Sequence, residues 1–180
     1  MFAGCEVEHF GILQFLRSEK DEAKQASQVL VYDYRDNDDF IVELKTRSQS
    51  DRLVLAKIPP ARTLAETVTA AQNRLQQSKP GSMQECTDLL VPVIDFDVLR
   101  SYSELLQGPF AIAVQQIRFK LDERGAVLKS ASVMAAAEVD MDLVFDKPFL
   151  VMIQRTDAGQ PYFALWVANA ELLVPFQPRR

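Results

Sequence analysis

Residues 143–153 read Leu-Val-Phe-Asp-Lys-Pro-Phe-Leu-Val-Met-Ile. An apolar strand runs into Asp146-Lys147-Pro148-Phe149 and then into a second apolar strand. Pro148 has no amide hydrogen, so it suits a boundary between strands, where no ladder bond is required. Beyond it, residues 149–153 form a continuous apolar run that a core can bury. Asp157-Ala158-Gly159 then marks a turn into a further strand at 162–168, and 143–154 with 162–168 is expected to pair antiparallel in the core.

On the N-terminal side, 110–121 is the longest expected strand. Its apolar set, Phe110, Ile112, Val114 and then Ile117, Phe119, Leu121, changes parity near Gln115-Gln116, which suggests a bulge or a transfer between packing surfaces. Asp122-Glu123-Arg124-Gly125 is a turn, and 126–139, rich in Ala, Ser and Val, fits strand or helix and is expected to fold back on 110–121 as a hairpin. Residues 9–17, 29–34, 40–46 and 53–58 alternate like strands, the last three as an antiparallel meander. In the third of these, Phe40, Val42 and Leu44 face one way and Glu43 and Lys45 the other.

Pro59-Pro60 ends the meander, and Thr63 with Glu66 makes a capping box. Leu64, Val68, Ala71 and Leu75 follow at helical spacing, so 63–78 is an amphipathic helix stopped by Lys79-Pro80-Gly81. A strand at 89–98 and a short helix at 101–107 lie between this helix and the long strand. With strands at 141–145, 149–154 and 162–168, the fold class is α+β: mostly antiparallel sheets, about nine strands and two helices, in one domain spanning 1–180.

The 180 residues are 48% hydrophobic and 25% charged, as in ordinary globular proteins, and the net charge of −5 argues against a nucleic-acid partner. No run is long enough to span a membrane and the N-terminus lacks the pattern of a signal peptide, so no membrane partner and a cytoplasmic location are expected. Cys5 and Cys86 have no metal or redox spacing and read as two free thiols.

The stretch 143–153 resembles the C-terminal signature of the serpins, the serine-protease-inhibitor superfamily, and matches it along its length. Other segments agree in order. Val29–Tyr34, Phe40–Thr46 and Leu53–Ile58 look like three consecutive strands of that family's B sheet. Leu90-Val91-Pro92-Val93 with Tyr102–Leu106 resembles its "LxLPKF…YDL" segment, and Phe119–Gly125 (FKLDERG) the strand entering the reactive loop. Tyr162–Asn169 looks like the final core strand, although Ala170 stands where the family has proline. The resemblance covers residues 29–173 and the C-terminal half of a serpin, so a serpin-like domain truncated relative to the family is expected. It makes Asp146, Pro148 and Phe149 structural residues of the strand boundary.

Inhibitory serpins trap a protease by inserting the cleaved reactive loop into a large sheet that can open. The resemblance places a reactive-loop-like segment at Ser132, Val133, Met134, Ala135, Ala136, Ala137 and Glu138. The hinge departs from the inhibitory pattern: Ala126, Val127, Leu128 and Lys129 stand where an inhibitor has Thr and a run of Ala. Burying the Lys129 ammonium in a packed sheet costs several kcal/mol. The expected function is therefore a non-catalytic, non-inhibitory serpin-like domain in protein binding or scaffolding. The alternative is a serine or cysteine protease inhibitor presenting a bait loop around 130–140.

Residue types that could carry chemistry are sparse. His9 with Cys5 or Cys86 would need an oxyanion site that no motif supplies. Asp36, Asp38 and Asp39 lack the glycine and distal glutamate of a calcium loop and read as a solvated turn. Asp140, Asp142 and Asp146 fall on one side of a strand by parity, and Ser130 and Ser132 have no base beside them in sequence. No glycine-rich phosphate loop occurs. The chain is expected to be no enzyme, to need no cofactor and no metal, and to work through an unidentified protein partner, a protease among the candidates. It is also expected to form a homodimer through an uncovered sheet face.

Overall fold

The computed structural model describes residues 1–12, 27–83, 87–101, 114–122 and 141–178. Among these residues eleven strands and one α-helix follow in chain order: β1 (His9–Ile12), β2 (Val29–Asp36), β3 (Asp39–Lys45), β4 (Asp51–Lys57), α1 (Leu64–Gln77), β5 (Gly81–Ser82), β6 (Thr87–Pro92), β7 (Ile94–Ser101), β8 (Val114–Leu121), β9 (Met141–Val144), β10 (Phe149–Arg155) and β11 (Pro161–Val167). A 3-10 turn, Ala170–Leu172, follows, with the Asn169 side chain accepting from the Glu171 amide.

The strands form three sheets. Six make one sheet in the order β11-β10-β4-β3-β2-β5, every neighbouring pair antiparallel. Three make a second, β1-β6-β9, in which β6 and β9 run parallel. The third is the two-stranded pair β7-β8.

The six-stranded sheet is buried on both faces because its middle strands are apolar at both parities. Phe40, Val42, Leu44, Leu55, Phe149 and Val151 point from one face into a core shared with Phe10, Leu89, Val91, Leu143 and Phe145 of the smaller sheet and its flank. Ile41, Val54, Ala56, Leu150 and Met152 point the other way and meet Val68, Ala71 and Leu75 of α1. The helix begins at the expected capping box, with the Thr63 side chain on the Glu66 amide and the Glu66 carboxylate on the Thr63 amide. Its buried stripe differs from expectation at two points. Leu64 is 43% exposed, whereas Thr67 and Gln72 are buried. Thr67 is held by hydrogen bonds to the 61–63 backbone, and Gln72 by one to the Gly159 carbonyl, so burial leaves neither unsatisfied.

Several boundaries depart from the sequence reading. The expected strand at 89–98 is two strands in different sheets. The break falls at Val93, after Pro92, which brings no amide hydrogen. Val93 donates to the Glu8 carbonyl and accepts from the Val174 amide, so the chain leaves one sheet here and enters another. The expected strands at 141–145 and 149–154 are both present, but of the stretch 143–154 expected to pair with 162–168 only β10 does so, beside β4 and β11, while β9 lies in the small sheet. The pairing of β10 with β11 is as expected, from Phe149–Val167 to Ile153–Phe163. In β8 the register with β7 runs unbroken from Val114–Ser101 to Leu121–Ile94, so no bulge falls at Gln115-Gln116. The partner of β8 is β7, and the expected return strand at 126–139 lies outside the described residues. So does the second expected helix, apart from Ser101, which ends β7. One α-helix, not two, is present among the described residues.

Aromatic rings join the layers around the 143–153 stretch. Phe145 and Phe149 lie 4.9 Å apart by centroid, Phe145 meets Phe40 at 5.0 Å, and Phe2 caps Phe149 at 6.1 Å. A second set carries the β7-β8 pair onto β11: Phe96 to Phe119 at 5.9 Å, and Phe119 stacked on Phe163 at 4.7 Å. Gly11 in β1 sits so close to β6 that a Cβ atom would lie 1.8 Å from the Leu89 carbonyl oxygen. Only glycine allows that approach.

Phe149 is fully buried between two other rings. Phe149→Ala is therefore expected to lower unfolding free energy by about 3–5 kcal/mol in urea titrations. A loss under about 1 kcal/mol would contradict the packing described.

Candidate functional site

The strand boundary at 145–148 is organised by a lysine that the sequence reading passed over. Lys57, the last residue of β4, is only 3% exposed. Its ammonium donates to the Asn37 carbonyl (2.7 Å), the Val144 carbonyl (2.9 Å) and Asp146 Oδ1 (2.7 Å), and lies 2.8 Å from Asp38 Oδ1. The Phe40 ring lies alongside at 5.7 Å. Lys147 pairs with the other oxygen of Asp38 at 2.5 Å. Hydrogen bonds from Lys147 first, and from Lys57 next, hold the Asp38 carboxyl below its ordinary range. One buried cation thus ties the β2–β3 turn, the end of β9 and the start of the 146–148 link to β4.

On the helix side of the large sheet, Tyr32, Glu43, Arg52 and Gln154 line up across β2, β3, β4 and β10. Arg52 donates to Glu43 Oε2 through Nε (2.9 Å) and Nη2 (2.7 Å), and Tyr32 donates to the same oxygen at 2.9 Å. Burial works against the Arg52 charge, yet Glu43 outweighs it and the guanidinium is held above its ordinary value. Burial and then Glu43 push the Tyr32 phenol up. Tyr32, Arg52 and Gln154 form the floor of a cleft of about 310 Å³ walled by Gln72, Gln76 and the Ala158-Gly159 turn. Further along α1, Arg74 reaches Asp33 at 2.6 Å and also pairs with Asp39, with Arg35 completing the group.

The residues singled out from sequence are dispersed over this frame. Phe149 is buried, Asp146 is on Lys57, and Pro148 is exposed between β9 and β10. Segment 132–138, Ser130, Asp140 and Cys86 lie outside the described residues. Cys5 is exposed, and His9 opens the edge strand β1. Burial first, and the N-terminal ammonium second, lower the His9 pKa. Asp36, Asp38 and Asp39 do not converge. Asp36 accepts from the Asp38 amide at 2.7 Å, while Asp38 and Asp39 each serve separate cations. Asp142 and Asp146 also part, the first lying opposite Asp88 in register and the second on Lys57. Among the described residues no three His, Cys, Asp or Glu side chains are grouped to hold a metal, and no helix is long and apolar enough to cross a membrane.

The arrangement is architectural: carboxylates, ammonium and guanidinium groups neutralise one another, and no nucleophile–base pair is assembled among them. The signal for it was present in sequence. Lys57 interrupts the apolar run 53–58, and Glu43 and Arg52 are polar residues of strands with apolar interiors. A charge in such a run has to find partners.

Replacing Lys57 by Met leaves the Asn37 and Val144 carbonyls without their donor, and a loss of about 1–3 kcal/mol in urea unfolding is expected. Asp38, held below its ordinary 3.8 when folded, contributes stability above that value and loses it as pH falls through the lowered value. Its carboxylate is 54% exposed, so this contribution is small, and Asp38→Asn should flatten the acid limb of stability only slightly.

No protein-family model matches the chain, and no curated protein matches it in sequence. Solved structures do. Thyroxine-binding globulin, in its complex with thyroxine, aligns with a TM-score of 0.51 at 14% identity, over 78% of this chain and 44% of that one. A serpin from the trematode Schistosoma haematobium aligns with a TM-score of 0.52, also at 14% identity, over 78% of this chain and 45% of its own. The chain thus spans less than half the length of these structures. At such identity the likeness is one of fold, and the fold of this chain is that of a partial serpin.

Proposed function

We propose that the chain is a non-catalytic, non-inhibitory serpin-like domain that acts in protein binding or scaffolding. The observation that carries this reading is the hinge. Residues 126–129, Ala-Val-Leu-Lys, follow the strand that in the serpin pattern leads into the reactive loop. Loop insertion as a central strand needs small hinge side chains and a strand on either side to receive them. Val127 and Leu128 are bulky, and Lys129 would bring an ammonium into a packed layer. Among the described residues, β8 belongs to a sheet of two strands, with β7 as its one partner. Absence of catalysis is part of the same reading, since a serpin fold is generally that of an inhibitor rather than a catalyst.

A second reading is supported by composition further along. Ser130-Ala131-Ser132 and Ala135-Ala136-Ala137 keep the small residues of a loop that a protease can accommodate. Ser132 to Glu138 would then be bait presented to a serine or cysteine protease without insertion.

Incubation with serine proteases separates the cases. The leading reading predicts no SDS-stable covalent complex and no loss of protease activity. A stable band would overturn the reading of the hinge, and reversible inhibition without a band would favour bait presentation. The reading also includes a homodimer, for which Leu99, 70% exposed on the face of β7-β8 turned away from Phe96 and Phe119, offers apolar surface. Sedimentation at micromolar concentration should give twice the monomer mass, and Leu99→Lys should shift it to monomer.

A further inference from the structure

We draw no further inference here: the strongest candidate, the cleft between α1 and the large sheet floored by Tyr32, Arg52 and Gln154, belongs to the polar cluster already described, and nothing in the structure shows what it would hold.

Discussion

The buried ammonium of Lys57 is the contact through which the sheets of this fold are held in one relation. It sits at the end of β4, in the middle of the large sheet, yet its acceptors come from the β2–β3 turn, from β9 in the small sheet and from the link into β10. Burying a cation is unfavourable unless all its hydrogens are used. Here two backbone carbonyls and the carboxylates of Asp38 and Asp146 surround it. That requirement fixes where the chain may leave the small sheet and enter the large one.

Around this point the aromatic residues complete the joint. Phe145 and Phe149 flank the boundary and contact Phe40 and Phe2, so polar and apolar constraints act on the same four-residue link. The backbone of Ala3 donates to the Asp146 carbonyl, drawing the N-terminal residues into the same place. A link held by a buried cation, two rings and a backbone bond has little freedom, and β10 begins in one register.

The polar groups on the helix side serve a related purpose. Arg52, Glu43 and Tyr32 satisfy one another where α1 does not fill the surface, and Arg74 anchors the helix to Asp33 and Asp39. The cleft that remains is lined by the amides of Gln72, Gln76 and Gln154 with Tyr32 and with Arg52, whose charge is met by Glu43. This is the chemistry of a wet seam between helix and sheet.

Local patterns in the sequence determined the elements themselves. Alternation at 29–34, 40–46 and 53–58, the capping box at Thr63 and Glu66, and the apolar run after Pro148 each define an element through interactions only a few residues long, and the resemblance at 143–153 pointed to the fold. Which sheet each strand joins was not legible in the sequence. Residues 89–98 read as one apolar stretch, yet they are cut at Val93, where Glu8 and Val174 are the partners. The boundary before Phe149 was legible from Pro148, but that its two strands lie in different sheets is fixed by Lys57 at Val144 and Asp146. The site residues follow the same division. Asp146, Pro148 and Phe149 could be named from a short signature, but Lys57, Glu43 and Arg52 appeared as isolated charges in apolar strands. The opposition of Asp88 and Asp142 depends on a parallel register between segments more than fifty residues apart. Spacing along a chain encodes periodicity and caps. Which buried charge meets which, and which strand lies beside which, is decided only when tertiary packing removes water and each polar group has to find a partner in space.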